Sequence, residues 1–304
     1  MRNRFLLCLQ LALTWLYFAA AACGVEAVEP RAAHVVFLGT GAADIQWPEK
    51  DSSPKALYIR EHAGRNVRRY SSLFVSPGVV IDYALTGREG LEAAGIAPSA
   101  IECVLITHSH GDHFQPAAIV DLAREKAAAL TVVGNSAVVT RMQEHLEGLS
   151  TAERPAMTLR TVKPFEEFDV GRWRAKALAA NHMPNEEALL YVLRNADKSL
   201  LYATDTGWFP VGTFAALRGE KLDLAIVEAT FGEEVRPNLL TGHMNLPFVR
   251  LVKQFLIDGK GLKPKGRFAV THLSLRFCEP YDQLAPKLAE EDILVAYDGL
   301  RKEL

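Results

Sequence analysis

The stretch that most restricts how this chain can fold is Thr107-His108-Ser109-His110-Gly111-Asp112-His113. Three imidazoles and a carboxylate stand within six positions, directly after the run Ile101–Ile106, which is apolar apart from Glu102. A short apolar run closed by a turn reads as a buried strand. A strand that ends in a loop of nitrogen and oxygen donors lets a rigid sheet present a metal site. In an extended segment alternate side chains share a side, so His108 and His110 can address one ion. Gly111 permits the sharp turn that redirects Asp112 and His113 towards a second. The rest of the chain must then supply a scaffold and the ligands that complete two shells.

The first residues serve another purpose. Met1-Arg2-Asn3-Arg4 is positive, Phe5 to Ala22 is apolar apart from Gln10 and Thr14, and Val25-Glu26-Ala27 fits a signal-peptidase site. The expectation is a signal peptide over residues 1–27 and one folded domain over residues 28–304. Two alternatives stay open: lipidation of Cys23 in the degenerate lipobox Ala21-Ala22-Cys23-Gly24, and an uncleaved helix, since a segment of this length nearly spans a bilayer. All three place the domain outside the cytoplasm, periplasmic or secreted, with membrane contact only through the N-terminal segment.

The remaining ~275 residues suffice for one large α/β domain with its own core. A formal net charge of −2 excludes a global basic field, so no specific nucleic-acid partner is expected. Of the four cysteines, only Cys103 and Cys278 lie in the body of the chain, and no CxxC spacing suggests a thiolate zinc module. Cys103, within a strand, reads as an inert core thiol; its pairing with Cys278 stays open.

Apolar runs predict strands at 34–41, ending in a glycine turn, and at 56–60, 72–75, 79–82 and 101–106, so several β segments precede any helix. Helices follow at 88–94, 116–126 and from Asn135 to about 147, with a strand at 130–133 between the last two. A second β-first set runs through 157–162, 168–170, 173–180, a hairpin 189–194/199–203 turning at Asn195-Ala196-Asp197-Lys198, and 222–227. Helices at 248–256 and 281–288 then alternate with strands at 267–270 and 293–296. Two such sets predict two stacked sheets with helices outside; periodicity alone does not separate this from a doubly wound fold.

Further donors sit just past apolar strands: His182 in Ala180-Asn181-His182-Met183-Pro184, Asp205 in Ala203-Thr204-Asp205-Thr206-Gly207, and His272 in Val270-Thr271-His272-Leu273-Ser274. Taken singly, a strand-end histidine is commonly structural and an Asp before Thr-Gly is a turn former. Beside a loop that lacks ligands to close its shells, they read as those ligands. His243 differs, lying in the Gly-rich loop Thr241-Gly242-His243-Met244-Asn245 before a helix. His34, His62 and His145 have no such setting, and His145 reads as part of a solvated helix face.

His108-x-His110-x-Asp112-His113 with His182, Asp205 and His272 resembles the metallo-β-lactamase superfamily. The resemblance extends from Val35-Val36-Phe37-Leu38-Gly39-Thr40-Gly41 to Ala296-Tyr297-Asp298-Gly299. It implies an α/β fold, a four-layer αβ/βα sandwich of two mixed β-sheets flanked by helices, with a dinuclear site between them. It also implies ligand roles: His108, His110 and His182 on one metal, Asp112, His113 and His272 on the other, and Asp205 bridging. Asp82, at a strand end, matches the Asp that steadies the ligand loop; a simple strand-end cap is the alternative. True β-lactamases of the superfamily often carry Cys where Asp205 stands. Asp205 and His243 instead resemble the phosphodiesterase branch, which includes the cyclic phosphodiesterase of phosphonate catabolism and the tRNA 3′-processing endonucleases. Val227-Glu228-Ala229-Thr230 is similar to the endonucleases' His-x-Glu-Ala-Thr element, but Ile226 occupies the His position and no tRNA-gripping arm is recognisable.

The expected cofactors are two divalent ions, Zn²⁺ before Mn²⁺ or Fe for an all-His/Asp donor set. A pair ~3.5–4 Å apart lowers the pKa of a shared water, and the resulting hydroxide attacks phosphorus in line with the leaving oxygen. The expected catalytic residues are His243 as proton donor, Glu228 orienting it, and Asp112, also a ligand. The substrate would be a small anionic molecule. Arg60, Arg65, Arg68 and Arg69 either steer it or form a solvated hairpin, and segments 42–54 and 207–214 set specificity. The alternatives are a hydrolase of carboxyl esters, lactones or lactams, and a non-hydrolytic accessory protein of cofactor biosynthesis.

Overall fold

The computed structural model describes residues 33–237 and 240–304; the expected signal peptide lies outside the described residues. Fourteen strands among them form two seven-stranded sheets. The first contains β1 (His34–Gly39), β2 (Ser72–Val75), β3 (Val79–Ile81), β4 (Cys103–Leu105), β5 (Leu130–Gly134), β6 (Met157–Thr161) and the C-terminal β14 (Arg301–Glu303), in the order β14-β1-β2-β3-β4-β5-β6. The second contains β7 (Glu167–Val170), β8 (Trp173–Ala179), β9 (Leu189–Arg194), β10 (Ser199–Ala203), β11 (Leu222–Glu228), β12 (Leu262–Thr271) and β13 (Ile293–Val295), side by side in reverse chain order. Both are mixed in the same way. Antiparallel neighbours run up to β3 in one and β10 in the other, and parallel neighbours follow.

Strand alternation explains the layering. Val35, Phe37, Cys103 and Leu105 point into a core shared with Trp173, Tyr191, Tyr202, Ile226 and Ala269 of the second sheet. Their neighbours Val36, Leu38, Val104 and Val132 point the other way, against Ile119 and Val120 of α3 (Pro116–Arg124) and Val138 and Met142 of α4 (Ser136–Glu147). The outer face of the second sheet, with Val192, Leu201, Ala225 and Val227, packs on α6 (Leu246–Asp258) and α7 (Tyr281–Ala289). The layers are therefore helix, sheet, sheet, helix, as expected. Parallel strands buried on both faces need such cover.

The first helix is a correction. Residues 56–60 are not a strand but the middle of α1 (Pro54–His62). Ser53 caps it by accepting a hydrogen bond from the Ala56 amide at 3.4 Å, and Pro54 occupies the first turn. Ala56 and Ile59 are buried at helical spacing. Two further helices are short, α2 (Gly87–Ala93) and α5 (Val211–Leu217); α5 occupies part of the expected specificity loop 207–214. The hairpin of β9 and β10, with its turn at 195–198, and the Asn135 cap of α4 follow the sequence.

The arginines of the early segment neither form a solvated hairpin nor face the donor cluster. Arg68 is buried and donates to Thr40 Oγ1 at 2.6 Å and to the Ala296 carbonyl at 2.8 Å. Arg65 lies 4.1 Å over the Tyr297 ring, Arg69 is 3.5 Å from Asp298, and Arg60 donates to the Pro48 and Asp51 carbonyls. Arg65, Arg68 and Arg69 tie the β1–β2 connection to the chain's C-terminal segment. Cys103 and Cys278 are free, buried thiols in separate clusters, each pushed up to about 12 by burial.

Candidate metal centre

The parallel strands of both sheets end at one edge, and there the donors collect. Asp82 follows β3, His108–His113 follow β4, Asp205 follows β10, Glu228 closes β11 and His272 follows β12. Backbone contacts hold the two sheets together at this edge: the Leu273 amide donates to the Thr40 carbonyl at 2.9 Å, and the Leu189 amide to the Thr107 carbonyl at 2.9 Å. Asp82, Asp205 and His272 take positive φ, at 61°, 52° and 53°. Outside glycine this left-handed backbone is sparsely populated and costs on the order of 1–3 kcal/mol. Three strands thus spend conformational energy to turn these side chains inward.

Two donor groups share one carboxylate. Atoms of His108, His110, His182 and Asp205 lie within 4.8 Å of one another, as do those of Asp112, His113, Asp205 and His272. Asp205 Oδ2 stands 3.1 Å from His108 Nε2, 3.0 Å from His113 Nε2 and 3.5 Å from His182 Nε2; its Oδ1 stands 2.9 Å from His272 Nε2. All seven expected ligands therefore converge, in the expected grouping, with Asp205 between the groups.

The donor set fits cations. Nε2 of His113 and Nε2 of His272 face each other at 3.1 Å, and Nε2 of His182 faces Nδ1 of His110 at 3.1 Å. Such nitrogen pairs can be satisfied only by a shared proton or by a cation between them. His108 Nε2 and Asp205 Oδ1 are buried, and their only close polar neighbours among the described residues are other members of the cluster, at geometries short of a regular hydrogen bond, which in an ordinary core would be costly.

Without cations, protons take their place unevenly. Burial opposes charge on His113, but Asp205, Asp112 and Asp82 hold it well above its ordinary value. His272 is raised to about 10 against the same burial, by Asp205 and by bonds to both carboxylates. Burial, aided by the charge on His113, pushes His108 down to about 4, and burial also lowers His110. Burial would raise Asp112 and Asp205, yet neighbouring imidazolium groups keep both well below the carboxylate range.

The far nitrogens are braced. Asp82 is fully buried; its Oδ2 lies 2.7 Å from His113 Nδ1, and its Oδ1 accepts from the Thr107 amide at 2.8 Å. His182 Nδ1 donates to the Gly242 carbonyl at 2.9 Å. His272 Nδ1 lies 2.9 Å from Thr230 Oγ1. Such contacts fix which nitrogen faces the centre.

His243 and Glu228 meet beside the second group. Both carboxylate oxygens of fully buried Glu228 lie 3.2 Å from His243 Nδ1, and Glu228 also accepts from the Thr206 and Met244 amides and the Thr230 hydroxyl. The imidazole is 20 % exposed, and Glu228 engages its Nδ1 rather than Nε2. Burial works against its charge, but Glu228 and Asp205 raise it overall.

Sequence reasoning missed two braces. Glu186 accepts from the Ser109 amide at 2.8 Å, the Ser109 hydroxyl at 2.6 Å and Asn135 Nδ2 at 2.7 Å, anchoring the ligand loop from the β8–β9 connection. Thr230 links Glu228 to His272. No motif announces Glu186; Thr230 could have been weighed from its place in Glu228-Ala229-Thr230.

The beta-lactamase superfamily domain matches residues 81–257, from the Asp82 strand end through α6. The chain belongs to the beta-lactamase superfamily. The matched stretch contains every candidate ligand and catalytic residue except His272, which the fold brings in from β12. Solved structures with the metallo-β-lactamase fold align along most of the chain. A diphosphatase of the PhnP family is 19% identical with TM-score 0.69, covering 90% of this chain and 98% of that one. Zn²⁺-bound PqqB from Methylobacterium extorquens is 16% identical with TM-score 0.67, covering 89% and 100%. Human tRNase Z, short form, is 17% identical with TM-score 0.62, covering 88% and 98%. A search of curated proteins gives no match. Family and donor set make the chain a metallo-β-lactamase-fold hydrolase with a His/Asp cluster for divalent metal ions.

Proposed function

We propose that this hydrolase cleaves phosphodiester bonds in a small anionic substrate, using two divalent ions, Zn²⁺ first. The observation that carries the reading is Asp205, a carboxylate set between two donor groups that contain no thiolate. His108, His110 and His182 would hold one ion, Asp112, His113 and His272 the other, and Asp205 both. The bound pair would supply a nucleophile from water near neutral pH and offset charge on the phosphoryl oxygens.

The protein's own part is positioning and proton delivery. Glu228 fixes Nδ1 of His243, leaving Nε2 to protonate the departing alkoxide. Buried Asp82, Thr230 and the Gly242 carbonyl hold three ligand rings in orientation. A non-hydrolytic accessory role gives this held, partly exposed imidazole no task. A domain over residues 28–304, exported behind the segment 1–27, remains our reading of the apolar run Phe5–Ala22.

The test is the full chain loaded with Zn²⁺, Mn²⁺ or Fe²⁺ and assayed against bis(p-nitrophenyl) phosphate and a chromogenic cephalosporin. Turnover of the first alone supports the proposal. Turnover of the cephalosporin alone, or inertness to both with two ions bound, rejects it.

A further inference from the structure

A large cavity lies far from the donor cluster. It is a groove of about 1350 Å³ at the starting ends of β11 and β12, bordered by α6 and α7. His272 lies past the other end of β12, so groove and centre occupy opposite ends of one strand. The groove has an apolar floor, including Phe268, Ile293 and Ile257, the last 47% exposed.

Its rim is cationic in a chain whose net charge is −2. Lys253 donates to the Glu291 and Asp292 carbonyls, Lys263 pairs with Asp223 at 2.7 Å, and Arg267 donates to the Glu303 carbonyl. Lys221, Lys260, Lys265 and Lys302 also line it, and their ammonium groups have no ion-pair or hydrogen-bond partner among the described residues. Asp292 is the carboxylate residue of the lining. The backbone displays part of this charge. Leu222 pairs with Leu262 but Leu224 with Arg267, so Lys263-Pro264-Lys265-Gly266 bulges out of the ladder. Gly266 permits the bulge, because a Cβ there would stand 2.7 Å from the Leu222 carbonyl oxygen.

Unpaired cations around an apolar floor suit a surface that is anionic at its headgroups and apolar beneath. The chain's own layout points the same way. Lys302 pairs in β14 with Val35 of β1, and the Leu304 amide donates to the Ala33 carbonyl. The described domain thus begins beside the groove, and where the apolar segment Phe5–Ala22 is retained, as in the uncleaved alternative, it lies ten residues upstream. Ten residues reach at most ~36 Å. We propose that this groove docks the domain on an anionic phospholipid surface, with the catalytic end facing away from the membrane.

Flotation of the full chain with vesicles of phosphatidylcholine, alone or mixed with phosphatidylglycerol, tests it. The apolar N-terminal segment contributes to both, so the ratio between them is the readout. Four lysines near an anionic surface should favour the mixed vesicles on the order of a hundredfold or more at low salt, with the preference declining as salt is raised. K221E/K260E/K265E/K302E should abolish the preference while retaining the unfolding midpoint and hydrolysis. Should that variant fail to fold, K260E/K265E and the salt titration of the unmodified chain decide. Equal partition, a salt-independent preference, or a preference kept by a folded variant overturns the proposal. So does retention of RNA, lost in the variant, without any vesicle preference; the groove would then serve nucleic acid.

Discussion

Both carboxylate oxygens of Glu228 stand 3.2 Å from Nδ1 of His243. The pair makes the role of His243 separable from metal binding. His243→Ala should lower kcat by roughly 10²–10⁴ for substrates with poor leaving groups, and far less for p-nitrophenolate, which needs no proton. Metal content by elemental analysis should stay that of the parent. If the ions are lost, His243 is a ligand and the assignment fails.

Glu228→Gln keeps the shape but removes the charge that favours imidazolium. The limb of the pH–kcat profile that reports the acid should move to lower pH, with KM little changed. An unmoved profile would leave Glu228 a purely structural residue.

Asp205→Ala removes the one carboxylate that both donor groups share. Elemental analysis should show fewer than two ions per chain, and phosphodiester hydrolysis should fall to background. Two ions retained in full would show that the groups close without it.

Asp82→Ala frees Nδ1 of His113 and the Thr107 amide. Loss of such a brace typically costs 10–100-fold in metal affinity. Competition with a chromogenic chelator measures it, and unchanged affinity would reduce Asp82 to a strand-end cap.

Protons report the same site. His113 and His272 are both raised, His272 to about 10, and their facing Nε2 atoms share a proton, so the pair holds positive charge at neutral pH in the metal-free protein. Binding two cations at pH 7 should release at least one proton, read by calorimetry in buffers of different ionisation enthalpy. The sign for stability follows. A raised histidine stabilises fully below its unfolded value of 6.5 and loses that contribution as pH rises through about 10. Asp112 and Asp205 are lowered, so their contribution is present above 3.8 and lost in stronger acid. The metal-free protein should therefore gain least from this cluster at alkaline pH, where thermal unfolding should show the largest rise in midpoint on adding Zn²⁺.

The ligand loop is legible because donors crowd into six positions after an apolar run, and the distant ligands because each ends a strand. The hairpin of β9 and β10 reads from alternation and turn residues. Helix α1 does not, since Ala-Leu-Tyr-Ile-Arg fits either period over five residues and Ser53-Pro54, its start signal, resembles a loop. Arg68 is illegible for another reason: its partners Thr40 and Ala296 lie 28 and 228 positions away, so only the folded chain shows a buried tie. Glu186 meets Ser109 across 77 positions. Burial and long-range pairing are products of topology, and local pattern does not encode them.

Each sheet supplies part of the donor set. The first carries His108, His110, Asp112 and His113; the second carries His182, Asp205 and His272. Neither half of the chain can hold an ion pair alone, so a bound pair would rivet the halves across their seam. Chelation should then loosen the molecule from the seam outward, with hydrogen exchange rising first at the ends of β4, β10 and β12 and last in the hairpins at the far margins.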